Sequence, residues 1–370
     1  MNLDFSDEQK QLREQARRML AERSPPAAVR AVLEGKAVYD HALWKGIAEL
    51  GYLGTAIPEE YGGLGIGYLE LCVIAEELGR ALAPVPFSSS VYLATELLLA
   101  AGSSEQKRTW LPKLASGEAI ATFAHAESPG AVSPGTIEAS VSRGLLSGAK
   151  VPVADGGIAD LAIVSARAGE AIALFLVDLH GTGVSREDVH TIDPTRNHAR
   201  VHFEGAPAEP LGAAAEGWRI LSGVQDRAAV LFGFEQIGGA DRALEMARDY
   251  ALERFAFGRQ IGSFQALKHM MADMYVSATL ARSNCYWGAW ALSTGAAELG
   301  EAAASARVSA TQAYLQCAKN NIQVHGGMGF TWQFDCHLYY RRANLLALAL
   351  GGLSTWEDRL VEALRRKNAA

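Results

Sequence analysis

Apolar residues recur at helical spacing at the start of the chain. Leu12, Ala16 and Leu20 stand among charged neighbours, and the pattern predicts a helix over 7–23. Ser6, followed by Asp7 and Glu8, supplies its start signal. The same periodicity runs through 41–51, 68–82, 90–102 and 104–117, each closed by glycine or proline punctuation. Residues 1–117 therefore read as an N-terminal all-helical domain.

The texture changes after Gly117. Short alternating or fully apolar runs at 159–167, 171–180 and 199–206 are separated by Gly, Pro, Asp and Asn. Residues 118–222 accordingly read as a small antiparallel β-barrel or sandwich. From Trp218 onward long helical periodicity returns, over 219–255, 264–293, 303–327 and 341–352. Four such helices with no strand between them predict a helical bundle over 223–370, so the fold class is α+β. No internal repeat and no low-complexity segment interrupts the order.

Composition narrows the function classes. Of 370 residues, 34 are Lys or Arg and 41 Asp or Glu, a formal net charge of −7. A mildly acidic chain carries no basic footprint for nucleic acid. With 49% hydrophobic and 20% charged residues the chain can bury a large core, and disorder is excluded. Cys72, Cys285, Cys317 and Cys336 lie far apart in apolar segments, as expected of reduced core thiols in a cytoplasmic protein rather than a disulfide framework or zinc site. The opening segment is charged and has no apolar leader core, and no run approaches the roughly 18 apolar residues of a membrane span. Neither export nor spanning is expected.

Generic motifs fail on context. The glycines at 63–67 and 326–329 follow no strand of a βαβ unit, so the dinucleotide fingerprint does not apply. Zinc spacing, a G-x-S-x-G elbow and a P-loop are absent.

Four strings carry more. WLPKLASGEAIATFAHAE at 110–127, LLSGAKVPVADGGIADLAIV at 145–164, YALERFAFGRQIGSFQALKHMMADM at 250–274 and QVHGGMGF at 323–330 resemble the acyl-CoA dehydrogenase family, and the resemblance covers nearly the whole chain. It implies a flavoprotein that removes two hydrogens from the α and β carbons of a coenzyme A thioester. A glutamate takes the α proton while the β hydride passes to the flavin of FAD. Such chemistry needs a carboxylate within reach of the α carbon and an oriented flavin ring.

The resemblance also shows what this chain lacks. Most members carry the base in a C-terminal Tyr-Glu-Gly-Thr string, matched here by Leu350, Gly351, Gly352 and Leu353. A minority carry it on the first bundle helix, 26 residues before the arginine of the FG motif. Counting back from Arg254 reaches Ala228. Neither Gly351 nor Ala228 can take a proton, so the expected set of catalytic residues is empty. Asp226, Glu235, Glu357 and Asp358 read as solvated or pairing charges, with Glu357 about 9 Å beyond Gly351 if one helix continues. The strings that flank the flavin ring in relatives, Thr-Glu-Pro and Trp-Ile-Thr, are matched by Ala126-Glu127-Ser128 and Pro152-Val153-Ala154, without the usual side-chain donors.

The other half of the cofactor site is present. In family dimers the adenine and pyrophosphate of one subunit's FAD are gripped by the partner through R-x-x-F-G and Q-x-x-G-G. Arg254, Phe257, Gln265, Gln323 and Gly327 occupy those places. A guanidinium pairs with phosphate, and glycine lets backbone approach closely. His269 and His325 read as packing or polar-network residues. Tyr286, Trp287, Trp290, Met270, Met271 and Met274 read as core or interface, and Arg341-Arg342 as a solvated or interface charge pair.

The combination resembles the base-lacking subunits of α2β2 acyl-CoA dehydrogenases in actinobacterial steroid degradation. It implies a heterotetramer in which a paralogous subunit supplies the base, the ring pocket and most of the acyl-CoA contacts, and an electron-transfer flavoprotein or similar acceptor removes the electrons. Two alternatives stay open at this stage: an active homotetramer with an unidentified base, and a non-enzymatic structural paralogue.

Overall fold

The computed structural model describes residues 5–369. The chain begins with helices α1 (Asp7–Arg23), α2 (Pro26–Leu33), α3 (His41–Glu49), α4 (Tyr68–Arg80), α5 (Glu96–Ala101) and α6 (Ser104–Ala115). Strands follow: β1 (Ala121–Ala124), β2 (Ser140–Ser142), β3 (Leu145–Ala154), β4 (Leu161–Ala168), β5 (Ala171–Asp178), β6 (Val184–Asp188), β7 (His198–Pro207) and β8 (Glu209–Leu211). Helix α7 (Gly217–Glu253) leads into a short hairpin, β9 (Phe255–Ala256) and β10 (Arg259–Gln260). Helices α8 (Gln265–Thr294), α9 (Leu299–His325), α10 (Cys336–Leu348) and α11 (Leu353–Ala369) complete the chain. The order is helices, strands, helices, as the hydrophobic pattern predicts.

Local chemistry accounts for the boundaries. The Ser6 hydroxyl accepts from the Gln9 amide at 3.2 Å while the Gln9 side chain accepts from the Ser6 amide at 3.0 Å, a capping box that starts α1. Ser103 and Gln106 repeat it at α6, and Asp40 caps α3 through the Leu43 amide. One predicted helix comes out differently: Ser88–Thr95, which overlaps the start of 90–102, is π-helical before α5 begins. The hydroxyl of each of its serines has a hydrogen-bond partner. Ser88 accepts from Arg196 at 2.8 Å, Ser89 donates to Asp155 at 2.6 Å, and Ser90 accepts from the Ala121 amide at 3.4 Å. Such side-chain bonds compete with regular helix geometry. Helix α11 has no counterpart in the sequence pattern, because only Trp356 is fully buried among its described residues and seven of its 17 residues are charged.

Two compact units result. One comprises Met1–Val29, Tyr68–Ala83 and Ala229–Ala370; the other comprises Arg30–Gly67 and Pro84–Ala228. In the second, strands run in the order β6-β7-β3-β2-β4-β5-β8, with β1 on β4. The pairing is antiparallel except at β1–β4 and a single β2–β4 bridge. In the first, α4 and α7 cross at glycines: a Cβ on Gly79 would stand 1.9 Å from the Glu235 carbonyl, and one on Gly238 1.9 Å from that of Glu76. Helix α1 is tied to α4 by charge. Arg17 clamps the buried Glu77 at 2.9 and 2.7 Å, and Glu76 is shared by Arg13 and Arg282. All four cysteines are free and buried, and no helix among the described residues is long and apolar enough to cross a membrane.

Candidate functional site

The residues expected on the adenine side all lie on the surface of the first unit. Arg254 follows the last residue of α7, its amide still bonded to the Tyr250 carbonyl at 2.9 Å. Its side chain is exposed and has no hydrogen bond or ion pair among the described residues. The hairpin then turns through Phe257 and Gly258 at φ 55° and 79°, the two left-handed residues that a tight two-residue turn demands. Its base is pinned by the Ile261 amide on the Arg254 carbonyl at 2.8 Å and by Gln260 on the Leu252 carbonyl at 2.6 Å. Phe257 is 93% exposed. Gln265 opens the 30-residue helix α8 and is exposed; its neighbour Lys268 is exposed and unpaired among the described residues.

Gln323 is exposed near the end of α9, and Gly326 and Gly327 follow. Gly326 holds φ 59°, and an added Cβ on Gly327 would meet nothing within 4 Å. Between them His325 packs: its ring stacks on Tyr250 at 4.1 Å, lies 5.6 Å from Phe334, and its Nδ1 bonds the Asn321 carbonyl at 2.8 Å. Burial lowers its pKa, opposed by that bond. An unpaired guanidinium, a helix N-terminus, an exposed aromatic ring and an open diglycine turn are fitting chemistry for a pyrophosphate carrying a planar base. FAD fits this surface.

The two positions at which the resemblance leads one to expect a base are occupied by Ala228 and Gly351. Ala228 is fully buried in α7. Gly351 lies beyond the end of α10 in a turn where Leu350 has φ 62° and Gly351 φ 96°. Arg307, 1% exposed, donates to the carbonyls of Leu346 and, at 2.6 Å, of Ala349; the Trp356 indole donates to that of Leu350 at 3.2 Å. A Cβ on Gly351 would stand 3.2 Å from the Thr355 side chain. This break corrects the reading of Glu357 as a point further along one helix: Glu357 belongs to α11, after the chain has turned, and is exposed. Glu235 is buried opposite Arg342 at 3.6 Å.

Two further sequence expectations, for Arg342 and His269, need correction. Arg342 is buried, because Glu235 and the Leu82 carbonyl at 3.5 Å receive it. Arg341 is half-buried beside the Trp332 ring, 5.9 Å from its centroid. His269 is exposed, because its place on α8 faces outward. Met274 is fully buried and Tyr286 packs edge-on against Phe5 at 5.0 Å, in keeping with core roles.

In the second unit, the strings matching the ring-side segments are already engaged. The Val151 amide donates to the Ala126 carbonyl at 2.8 Å, and the Thr122 hydroxyl to that of Ala154. Pro152 has no amide hydrogen. Glu127 accepts from the Glu138 amide at 2.7 Å, the Ala139 amide at 3.1 Å and the fully buried Lys150 ammonium at 2.7 Å. Burial lowers the pKa of Lys150, while Glu127 opposes the shift. His125, which no motif singles out, bonds Ser165 at 2.7 Å. Burial, with Lys150 nearby, pushes its pKa down to about 3. Asp155 has φ 55° and is held by Ser89. Glu127, Lys150, Asp155 and the Nδ1 of His125 are thus engaged, while the Nε2 of His125 is buried without a hydrogen-bond partner among the described residues.

Residues 6–118 match the family model for the acyl-CoA dehydrogenase N-terminal domain, and residues 215–355 match that for its C-terminal domain. With its helical, sheet and bundle order, the chain belongs to the acyl-CoA dehydrogenase family, whose cofactor is FAD. Bound FAD supplies the hydride acceptor of the family's reaction. Acyl-CoA dehydrogenase IpdE2 of Mycobacterium tuberculosis is 36% identical over 343 residues, 91% of each chain. A solved structure described as Tcur3481-Tcur3483 steroid ACAD G363A variant is 31% identical with a TM-score of 0.89, covering 98% of this chain and 99% of that one. The ChsE4-ChsE5 complex of Mycobacterium tuberculosis is 27% identical with a TM-score of 0.90, covering 99% of both chains.

Proposed function

We propose that this chain is the base-lacking subunit of a heteromeric FAD-dependent acyl-CoA dehydrogenase. It contributes the adenine and pyrophosphate half of the FAD site in trans to a catalytic paralogue, which holds the flavin ring, the glutamate and most of the acyl-CoA. The observation that carries the reading is the contrast within one chain. Gly351 stands at the base position in a left-handed turn, while Arg254, Phe257, Gln265, Gln323 and Gly327 are exposed on the opposite kind of surface, one open to a ligand. Likeness to the ChsE4-ChsE5 complex supports a paralogous partner. Likeness to a structure described as a steroid ACAD supports a steroid-derived acyl thioester as substrate. An electron-transfer flavoprotein or similar acceptor would reoxidise the flavin.

Co-expression tests the reading. The chain purified alone should carry no FAD, and the chain purified with a glutamate-bearing paralogue should be yellow. FAD and turnover in the lone chain would overturn it in favour of an active homo-oligomer. Absence of FAD with every paralogue tried would overturn it in favour of a structural protein.

A further inference from the structure

The hairpin between α7 and α8 exposes one ring at a conformational cost. Phe257 takes the first central position of the turn at φ 55°, where a bulky side chain is an outlier even though the turn type needs that backbone. Strain of this kind persists where surrounding structure over-determines it, and it gathers at sites that touch something else. Nothing covers the ring within the described residues, at 93% exposure.

Its direction is set from one side. Phe264, just before α8, meets Phe257 edge to face, with centroids 6.2 Å apart and planes at 87°. The Arg259 guanidinium lies over the Phe264 ring, 4.0 Å from its centroid, and has no hydrogen bond or ion pair among the described residues. Arg259, Phe264 and Phe257 therefore contact one another in series on one short stretch of chain, the guanidinium over one ring and the two rings edge to face. A planar guanidinium suits this role, whereas an ammonium acts as a point charge.

We infer that Arg259 and Phe264 are positioning residues that hold the Phe257 ring outward for the adenine of FAD bound in the partner subunit. Arg259 acts through the two aromatic rings and not on a phosphate; that task falls to Arg254. The inference rests on the in-trans reading above and adds a division of labour between two arginines five residues apart.

The experiment uses the complex with the glutamate-bearing paralogue and follows FAD release by flavin fluorescence on dilution at several salt concentrations. Arg259→Ala and Phe257→Ala should each weaken FAD retention about 2–5-fold, the range of one exposed cation–π or ring contact. The double variant should be no weaker than Phe257→Ala alone, because Arg259 works through that ring. Arg259→Lys should behave like Arg259→Ala. Only Arg254→Ala should flatten the salt dependence. Additive losses, a normal Arg259→Lys, or a flattened salt dependence in Arg259→Ala would assign Arg259 to the phosphate and overturn the inference alone. If neither Arg254→Ala nor Phe257→Ala changed FAD retention, the in-trans reading would fall and the inference with it.

Discussion

Gly351 occupies a backbone conformation that L side chains rarely adopt, with Thr355 3.2 Å from any Cβ added there. A glutamate placed here therefore meets strain before chemistry. Gly351→Glu and Gly351→Ala should each cost about 1–2 kcal/mol, the penalty for left-handed backbone. Gly352→Ala, with open space at its Cβ, is the control in thermal unfolding. A Gly351→Glu chain as stable as the wild type would show that the turn relaxes freely. The same variant, purified alone with added FAD, should bleach no flavin on addition of acyl-CoA thioesters, because an unoriented ring cannot accept the hydride. In the complex, Arg254→Ala should cost about 1.5–3 kcal/mol of FAD binding, the range for a charge-assisted contact, read as flavin content after purification.

Helix ends and helix pairs in this fold depend on buried charge. Arg307 receives the last carbonyls of α10 and also donates to Gln236 at 2.6 Å. Arg307→Met should cost about 1–3 kcal/mol for each buried group left without a partner, seen as a lower denaturant midpoint. Arg17→Ala leaves the carboxylate of Glu77, itself 1% exposed, without its clamp. Faster proteolysis within 7–23 in that variant would report the loosening of α1 from α4; unchanged cleavage would mean that apolar contacts alone hold the helix.

Acid sensitivity and assembly belong to the whole molecule. His125 has a folded pKa of about 3 against an ordinary 6.5, so the unfolded chain binds one proton more than the folded chain between those values. Its contribution to stability is complete above about pH 6.5 and is lost as pH falls towards 3. His125→Gln should flatten the stability profile in that window, measured by denaturant unfolding from pH 4 to 7. An unchanged slope would assign the acid loss to other groups. For the assembly, the lone chain should turn over acyl-CoA with an artificial acceptor at less than a hundredth of an ordinary rate of about 10 per second.

The sequence alone determined much of this protein. Hydrophobic periodicity places the order of helices, strands and helices, since burial of one face imposes a period on the chain. Short strings identify the family and put Arg254, Phe257, Gln265, Gln323 and Gly327 at the places its motifs mark, because residues within a few positions of one another are legible as motifs. Tertiary structure decided the rest. The break between α10 and α11 depends on Arg307, some forty residues earlier, reaching the Ala349 carbonyl. The pairing of Arg342 with Glu235 depends on two helices meeting, and no local pattern distinguishes it from a solvated charge. The engaged state of Glu127 and Lys150, and the stack of Arg259 on Phe264, are likewise contacts. Periodicity reports which face is buried; it does not report what that face touches.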